Sequence, residues 1–350
     1  MKLRKKLAKV IAIMAIGAMS ISTFASESQT TLPVLTLEQA VSSALSADAA
    51  QMEAYEKSIA SSNQIMMDTD DVGTGTYQST YYSKLKTEQT IKYHKDAVSY
   101  QTTKMYNEIA LLEQQLAFYD KKLPMQEKIF SQTQLKYNKG LVSKLEYEKA
   151  ASTIEEQRTA KEKLQAQLDS TRADFRQLAQ YDTKNYSLEK NFDVEYYEYT
   201  GNIYNFFNST VDEMLQYDKK LAEISDDYVF IDMIKRRDNS ATSYYSGKAS
   251  AAQSKNAVEK SKEGYLSTLN SLYTSLQTTK QSIKELEVTI EDLRKTLAAN
   301  KLKFEKGLIS QIQIEQDELT LEEQELNLIK LKVNYNSTKE AVRKPWVSFY

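Results

Sequence analysis

The segment Leu135-Lys-Tyr-Asn-Lys-Gly-Leu-Val-Ser143 is repeated 167 residues later as Leu302-Lys-Phe-Glu-Lys-Gly-Leu-Ile-Ser310. Thr153-Ile-Glu-Glu-Gln157 returns in the same register as Thr320-Leu-Glu-Glu-Gln324. A fixed offset is the mark of a tandem duplication, and it constrains architecture before any local propensity does. Each copy sets one glycine, Gly140 or Gly307, between two long stretches of helical periodicity. A glycine so placed marks the tip of a helical hairpin.

The start of the chain is basic (Lys2, Arg4, Lys5, Lys6, Lys9), then apolar from Val10 to Met19, with small residues around Ala25. This predicts a secretory signal over residues 1–25. The alternative, an uncleaved anchor, is disfavoured because the apolar run is shorter than the ~20 residues a spanning helix needs. The protein is therefore expected outside the cytoplasm. With no cysteine, it has neither a disulfide framework nor a lipid-bearing thiol, and zinc thiolate sites are excluded. Only eight glycines and three prolines interrupt 350 residues, which favours long helices over many-turned sheets. A net charge of −2, with lysines interspersed among glutamates, argues against nucleic acid as a partner.

Thr36 begins a capping box with Gln39, and the helix it opens is predicted to run to about Met66. Residues 68–76 break it. From about Tyr82 to Asn138, Ile91, Val98, Met105, Leu112 and Tyr119 recur at heptad spacing, with Ile109, Leu116 and Leu123 beside them. Pro124 lies within this seam and is expected to kink or open the helix. A second helix is predicted from about Ser143 to Leu178, then an irregular tyrosine-rich segment, then a short helix opening at Ser209. After an irregular stretch over about 225–243 comes a long helix with Leu269, Leu276, Ile283, Ile290 and Leu297 on one heptad position. Leu272, Leu286 and Leu293 occupy the other.

The last helix, about Ser310 to Val342, carries two stripes: Ile312, Leu319, Leu326 and Val333, and Ile314, Leu321, Leu328 and Tyr335. Positions two apart differ by roughly 200° around a helix, so this helix needs a neighbour on each flank. A closed ring of helices, built by oligomerisation, meets that need. The fold class expected is all-α, with long antiparallel hairpins in two tandem repeats. The first repeat spans 26–180 with its tip at 138–143, a linker follows over 181–207, and the second repeat spans 208–342 with its tip at 305–310. Residues 343–350 form a tail in which Trp346 either docks on the helices or frays.

Taken together, the Leu35-Thr-Leu-Glu-Gln-Ala-Val41 opening, the two glycine tips and the Phe175-Arg-Gln-Leu-Ala179 exit into the linker resemble the TolC family of outer-membrane efflux and type I secretion channels. The resemblance covers roughly Leu35 to Val342. It implies a homotrimer with a twelve-helix tunnel, a TolC-like α-barrel, located in the outer membrane or periplasm. It also implies that the tips meet a membrane-fusion adaptor linked to an inner-membrane pump, ABC or proton-driven. Carried onto this chain, the adaptor contacts are Gly140, Leu141, Val142, Gly307, Leu308 and Ile309. The plainer reading of Leu141 and Val142 is a hydrophobic staple for their own hairpin.

Two departures stand out. The family inserts a pair of long strands in each repeat to build a membrane β-barrel, whereas the corresponding windows here, about 67–81 and 225–243, are short. Only Tyr228-Val-Phe-Ile-Asp-Met-Ile234 looks strand-like. The family also places acidic residues at a gate shortly after the second tip; here that place falls near Gln313 and Gln316, with Glu315 and Asp317 adjacent. Either carboxylate forms a threefold ring if it faces a lumen, or it lies on a solvated outer face.

Catalysis is not expected. His94 is the only histidine and sits beside the heptad seam, and no phosphate loop, metal cluster or cofactor motif is present. The 24 tyrosines suit either an interfacial girdle or packing around irregular loops. Two functions remain: a passive conduit for small molecules or secreted proteins, and a non-conducting coiled-coil scaffold or adaptor-binding spacer of the same fold.

Overall fold

Most of the helices begin where a side chain can take up their first orphan amides. Thr36 accepts from the Gln39 amide while the Gln39 side chain accepts from the Thr36 amide, closing the capping box. Thr74, Ser143, Asn202, Ser240 and Ser310 do the same work for their helices by single-sided caps. The computed structural model describes residues 32–69, 74–236 and 240–349. The expected signal peptide lies outside the described residues.

The chain from Val34 onward builds α1 (Leu37–Ala47), α2 (Ala49–Asp68), α3 (Gly75–Asn138) and α4 (Lys144–Ala179), then the second set. That set is α5 (Ile203–Met214), α6 (Gln216–Asp227), α7 (Val229–Arg236), α8 (Ala241–Glu305) and α9 (Gln311–Arg343). The two rods α3 and α8 hold 64 and 65 residues, each about 95 Å long at the α-helical rise. The all-α expectation is met. Among the described residues, strand is confined to β1 (Val34–Leu35) and β2 (Ser187–Leu188), which pair in parallel.

Near the tips the order of helices is α4, α3, α9, α8, because α3 packs on both α4 and α9 while α8 packs on α9. Farther from the tips, α1 and α2 continue along α3 beyond α4, and α6 fits between α3 and α8 where α9 has ended. Two long rods thus alternate with two lanes of shorter helices, as the lengths in the sequence imply.

This arrangement corrects one inference. The twin stripes of α9 do not require a second copy of the chain, since α3 covers one flank and α8 the other. All eight stripe residues are buried or half-buried. The open edges are instead α4 and α8.

Two apolar cores follow the duplication. Tyr106, Ile109, Leu168 and Phe175 centre the first, and Phe207, Leu269, Leu276, Ile283 and Tyr335 the second. In each a tyrosine hydroxyl ties down the irregular chain. Tyr106 donates to the Leu35 carbonyl and accepts from the Glu189 amide at 2.7 Å, holding β1 against β2. Burial pushes its phenol above the usual range. Tyr335 accepts from the Tyr197 amide at 2.8 Å, and Asn336 and Lys339 donate to the carbonyls of Asp193 and Glu195. The linker is therefore strapped across the second repeat.

Several local expectations change. The first helix is interrupted at Asp48, whose carboxylate lies 2.7 Å from His94 Nε2. Helix α3 runs unbroken through Pro124; the carbonyl that loses its partner belongs to Asp120, an exposed residue open to water. Helix α5 starts at Ile203 rather than Ser209, because Asn202 is the cap. The strand-like run 228–234 is a turn residue, Tyr228, followed by helix from Val229. The tail docks: Trp346 stacks on Tyr93 with centroids 4.6 Å apart and donates to Asp96, which also receives Lys344.

Candidate functional site

Both hairpins turn by the same backbone device. Helix α3 ends with Lys139 and Gly140 at φ +70°, and the Leu141 amide reaches back to the Lys136 carbonyl at 2.9 Å. Helix α8 ends with Lys306 and Gly307 at φ +73°, and the Leu308 amide reaches the Lys303 carbonyl at 2.9 Å. This is the Schellman closure, and its left-handed residue favours glycine because a Cβ crowds the carbonyl there. Ser143 and Ser310 then restart the chain as N-caps, accepting from Glu146 and Gln313. Leu141 and Val142, and their counterparts Leu308 and Ile309, thus lie between the αL glycine and the cap of the next helix.

The tips divide the apolar pair that follows each glycine. Leu141 and Leu308 are 70% and 69% exposed, whereas Val142 and Ile309 are half-buried. One residue of each pair meets the description of a staple and the other that of an external knob. Behind the first tip, Tyr147 stacks between Tyr137 at 4.9 Å and Phe130 at 5.5 Å. The corresponding places in the second copy are Ile314, Phe304 and Leu297, so the second tip lacks this aromatic stack.

The acidic places beyond the second tip have partners within the chain. Glu315 receives Lys128 of α3 at 3.0 Å and Gln311 at 3.0 Å. Asp317 accepts from Asn300 at 2.8 Å and from Gln313 at 2.9 Å. Gln313 is exposed and Gln316 half-buried. Glu315 thus joins a series of bonds across the α3–α9 seam, with Lys121 to Glu322 at 2.6 Å and Lys122 to Glu323 at 3.1 Å. Sequence reasoning missed this ladder. Its signal was the run of lysines on α3 facing the run of glutamates on α9, legible only once the two helices are known to be neighbours.

At the other end of the rods, the two windows where the resemblance implies membrane strands hold none among the described residues. Helix α2 reaches Asp68 and α3 starts at Gly75; α7 reaches Arg236 and α8 starts at Ala241. The residues between are too few for even one transmembrane strand of ~9–11 residues. No helix of the described residues is long and apolar enough to cross a membrane. Among them there is also no group of three acidic, histidine or cysteine side chains fit to hold a metal.

The chain matches solved structures along nearly its whole length. A membrane protein from Pseudomonas aeruginosa is similar at a TM-score of 0.60, with 12% identity over 95% of this chain and 97% of that one. The fold is TolC-like. The CusC structure, described in connection with folding and transmembrane channel formation, aligns at 0.64 with 11% identity, covering 89% of this chain and 91% of CusC. The outer membrane protein VceC from Vibrio cholerae aligns at 0.56 with 12% identity, over 89% and 95% of the two chains. No family model and no curated protein sequence matches. At these identities the likeness carries the fold, so what the chain does has to be argued from its surfaces.

Proposed function

We propose that three copies of this chain join edge to edge, α4 of one against α8 of the next, to close a hollow ring of helices that serves as a passive conduit in the cell envelope. The observation that carries this reading is the asymmetry of cover. The inner helices α3 and α9 are flanked on both sides within one chain, while α4 and α8 each lack an outer neighbour. A layer with two different open edges associates head to tail, and such association closes into a cyclic ring when the rotation permits. The solved neighbours, among them the outer membrane channels CmeC, OprN and MtrE, support the same reading.

The tips are the docking end. Gly140, Leu141 and Val142, with Gly307, Leu308 and Ile309, would meet a membrane-fusion adaptor that connects the conduit to an inner-membrane pump for efflux or type I secretion. Leu141 and Leu308 supply the exposed apolar contact, and Val142 and Ile309 hold them in place. The residues after the second tip, Gln313, Glu315, Gln316 and Asp317, are the place for a gate. Because Glu315 is engaged by Lys128, opening there requires that pair to part.

A second reading is favoured by the short strand windows: a non-conducting scaffold or adaptor-binding spacer with the same ring. Single-channel recording across a planar lipid bilayer separates the two. Discrete openings by the purified protein support the conduit, and silence at a concentration where the ring is assembled supports the scaffold.

A further inference from the structure

The heptad position that holds Leu269, Leu276, Ile283 and Ile290 on α8 continues toward the start of that helix as Lys248, Lys255 and Lys262. One stripe thus changes from apolar to cationic partway along a rod, and it changes where its neighbour changes. Leu269 and Leu276 pack in the second core with Phe207 and Val211 of α5 and Tyr335 of α9. Nearer the start of α8, the space between the two rods is filled by α6.

Helix α6 is held there by charge from both sides. Lys248 and Lys255 each donate to the Asp226 carboxylate at 2.6 Å, and Lys262 pairs at 2.8 Å with Asp212, near the end of α5. From the other rod, Lys86 of α3 donates to Asp218. The balance of charge agrees: α6 carries four carboxylates against two lysines, and α8 from Ala241 to Lys262 carries four lysines against one glutamate. The apolar seat of α6 is thin. Ala222 is its only buried residue, with Leu221 and Ile224 half-buried. The equally long α5 buries Phe207, Thr210, Val211 and Met214.

We propose that α6 is a strap fastened between the rods by ion pairs and released by salt, so that ionic strength sets how firmly α3 and α8 are joined away from the tips. The side chains of these pairs are partly open to water, with 23–45% of their surface exposed. Such pairs are individually weak and are screened by dissolved ions, whereas the apolar seat of α5 does not depend on screening. The lysine stripe also selects what occupies this place. An apolar helix laid along it would leave three ammonium groups facing hydrocarbon, a costly arrangement. Every contact involved lies within one chain, so the strap does not depend on the ring.

The test is amide hydrogen exchange of the full chain at constant pH. Sodium chloride is raised from about 0.01 M to about 1 M, which shortens the screening length from about 30 Å to about 3 Å. Exchange over α6 is expected to accelerate about fivefold or more, and that over α5 to change by less than about twofold. In the variant Lys248→Glu, Lys255→Glu, α6 should exchange fast already at low salt. Adding Asp226→Lys to that variant should restore both its protection and its response to salt, which a general loss of packing would not allow. The proposal is overturned if α6 ignores salt in the wild type, if α5 accelerates as much as α6, or if the triple variant exchanges like the double.

Discussion

Replacing Gly140 by alanine isolates the conformational cost of the hairpin tip. At φ +70° a Cβ on residue 140 meets no heavy atom within 4 Å, so the substitution adds no steric contact with the rest of the protein. What remains is the intrinsic penalty of an L-residue in the left-handed region, about 1 kcal/mol. The amide that reports it is that of Leu141, bonded to the Lys136 carbonyl at 2.9 Å and released when the turn opens. At 1.4 kcal/mol per factor of ten, 1 kcal/mol raises the local opening constant about fivefold. Amide hydrogen exchange, followed on the peptide spanning the tip, is expected to accelerate by that factor in Gly140→Ala. In Gly140→Asn the acceleration should be smaller, since asparagine tolerates this conformation better. Gly307→Ala, at φ +73° and equally uncrowded, should behave alike at the Leu308 amide. Unchanged exchange in Gly140→Ala, or a larger effect for asparagine than for alanine, would refute the claim that these glycines are present for their backbone.

Tyr106→Phe removes the hydroxyl shared by the Leu35 carbonyl and the Glu189 amide; it is expected to destabilise the first repeat by about 1–3 kcal/mol, read from denaturant unfolding, with Tyr335→Phe acting likewise on the linker. Trp346→Ala removes the stack on Tyr93 and the bond to Asp96; since Trp346 is only half-buried, the loss should be about 2 kcal/mol, and limited proteolysis should reach the tail sooner. Hydrogen bonds from Lys248 and Lys255 hold the Asp226 carboxyl at about 2. A depressed carboxylate contributes stability above its unfolded value of about 3.9 and loses it as pH falls toward the folded value. Protection of α6 amides should accordingly decline between about pH 4 and pH 2 in the wild type, and Asp226→Asn should flatten that decline.

The hairpins were legible because their signals are local and redundant: a duplicated glycine, serine caps three residues beyond it, and heptads that specify one buried face. Leu269, Leu276, Ile283 and Ile290 of α8 are buried as the heptad implies. The heptad of α3 is too narrow a description, since Tyr93, Ala97, Tyr106 and Phe118 are buried as well. That helix is covered by α1, α2, α4, α6 and α9, and burial from many sides erases a simple period. Tyr228–Ile234 looks like a strand because aromatic and β-branched residues dominate it. Its contacts with Gly75 and Gly247, distant in sequence, fit a helix. The apolar pairs at the tips were visible as a motif, but the division of each into an exposed leucine and a half-buried valine or isoleucine depends on the Schellman turn. The α3–α9 ladder depends on helix order, which no local pattern encodes.

The proposed conduit requires the four-helix layer to be one third of a closed ring. Native mass measurement of the purified full chain at micromolar concentration tests this most directly. A single species of three chains is predicted, dispersing when Val288, an exposed apolar residue of the edge helix α8, is replaced by arginine. A chain that stays monomeric at every concentration would contradict it.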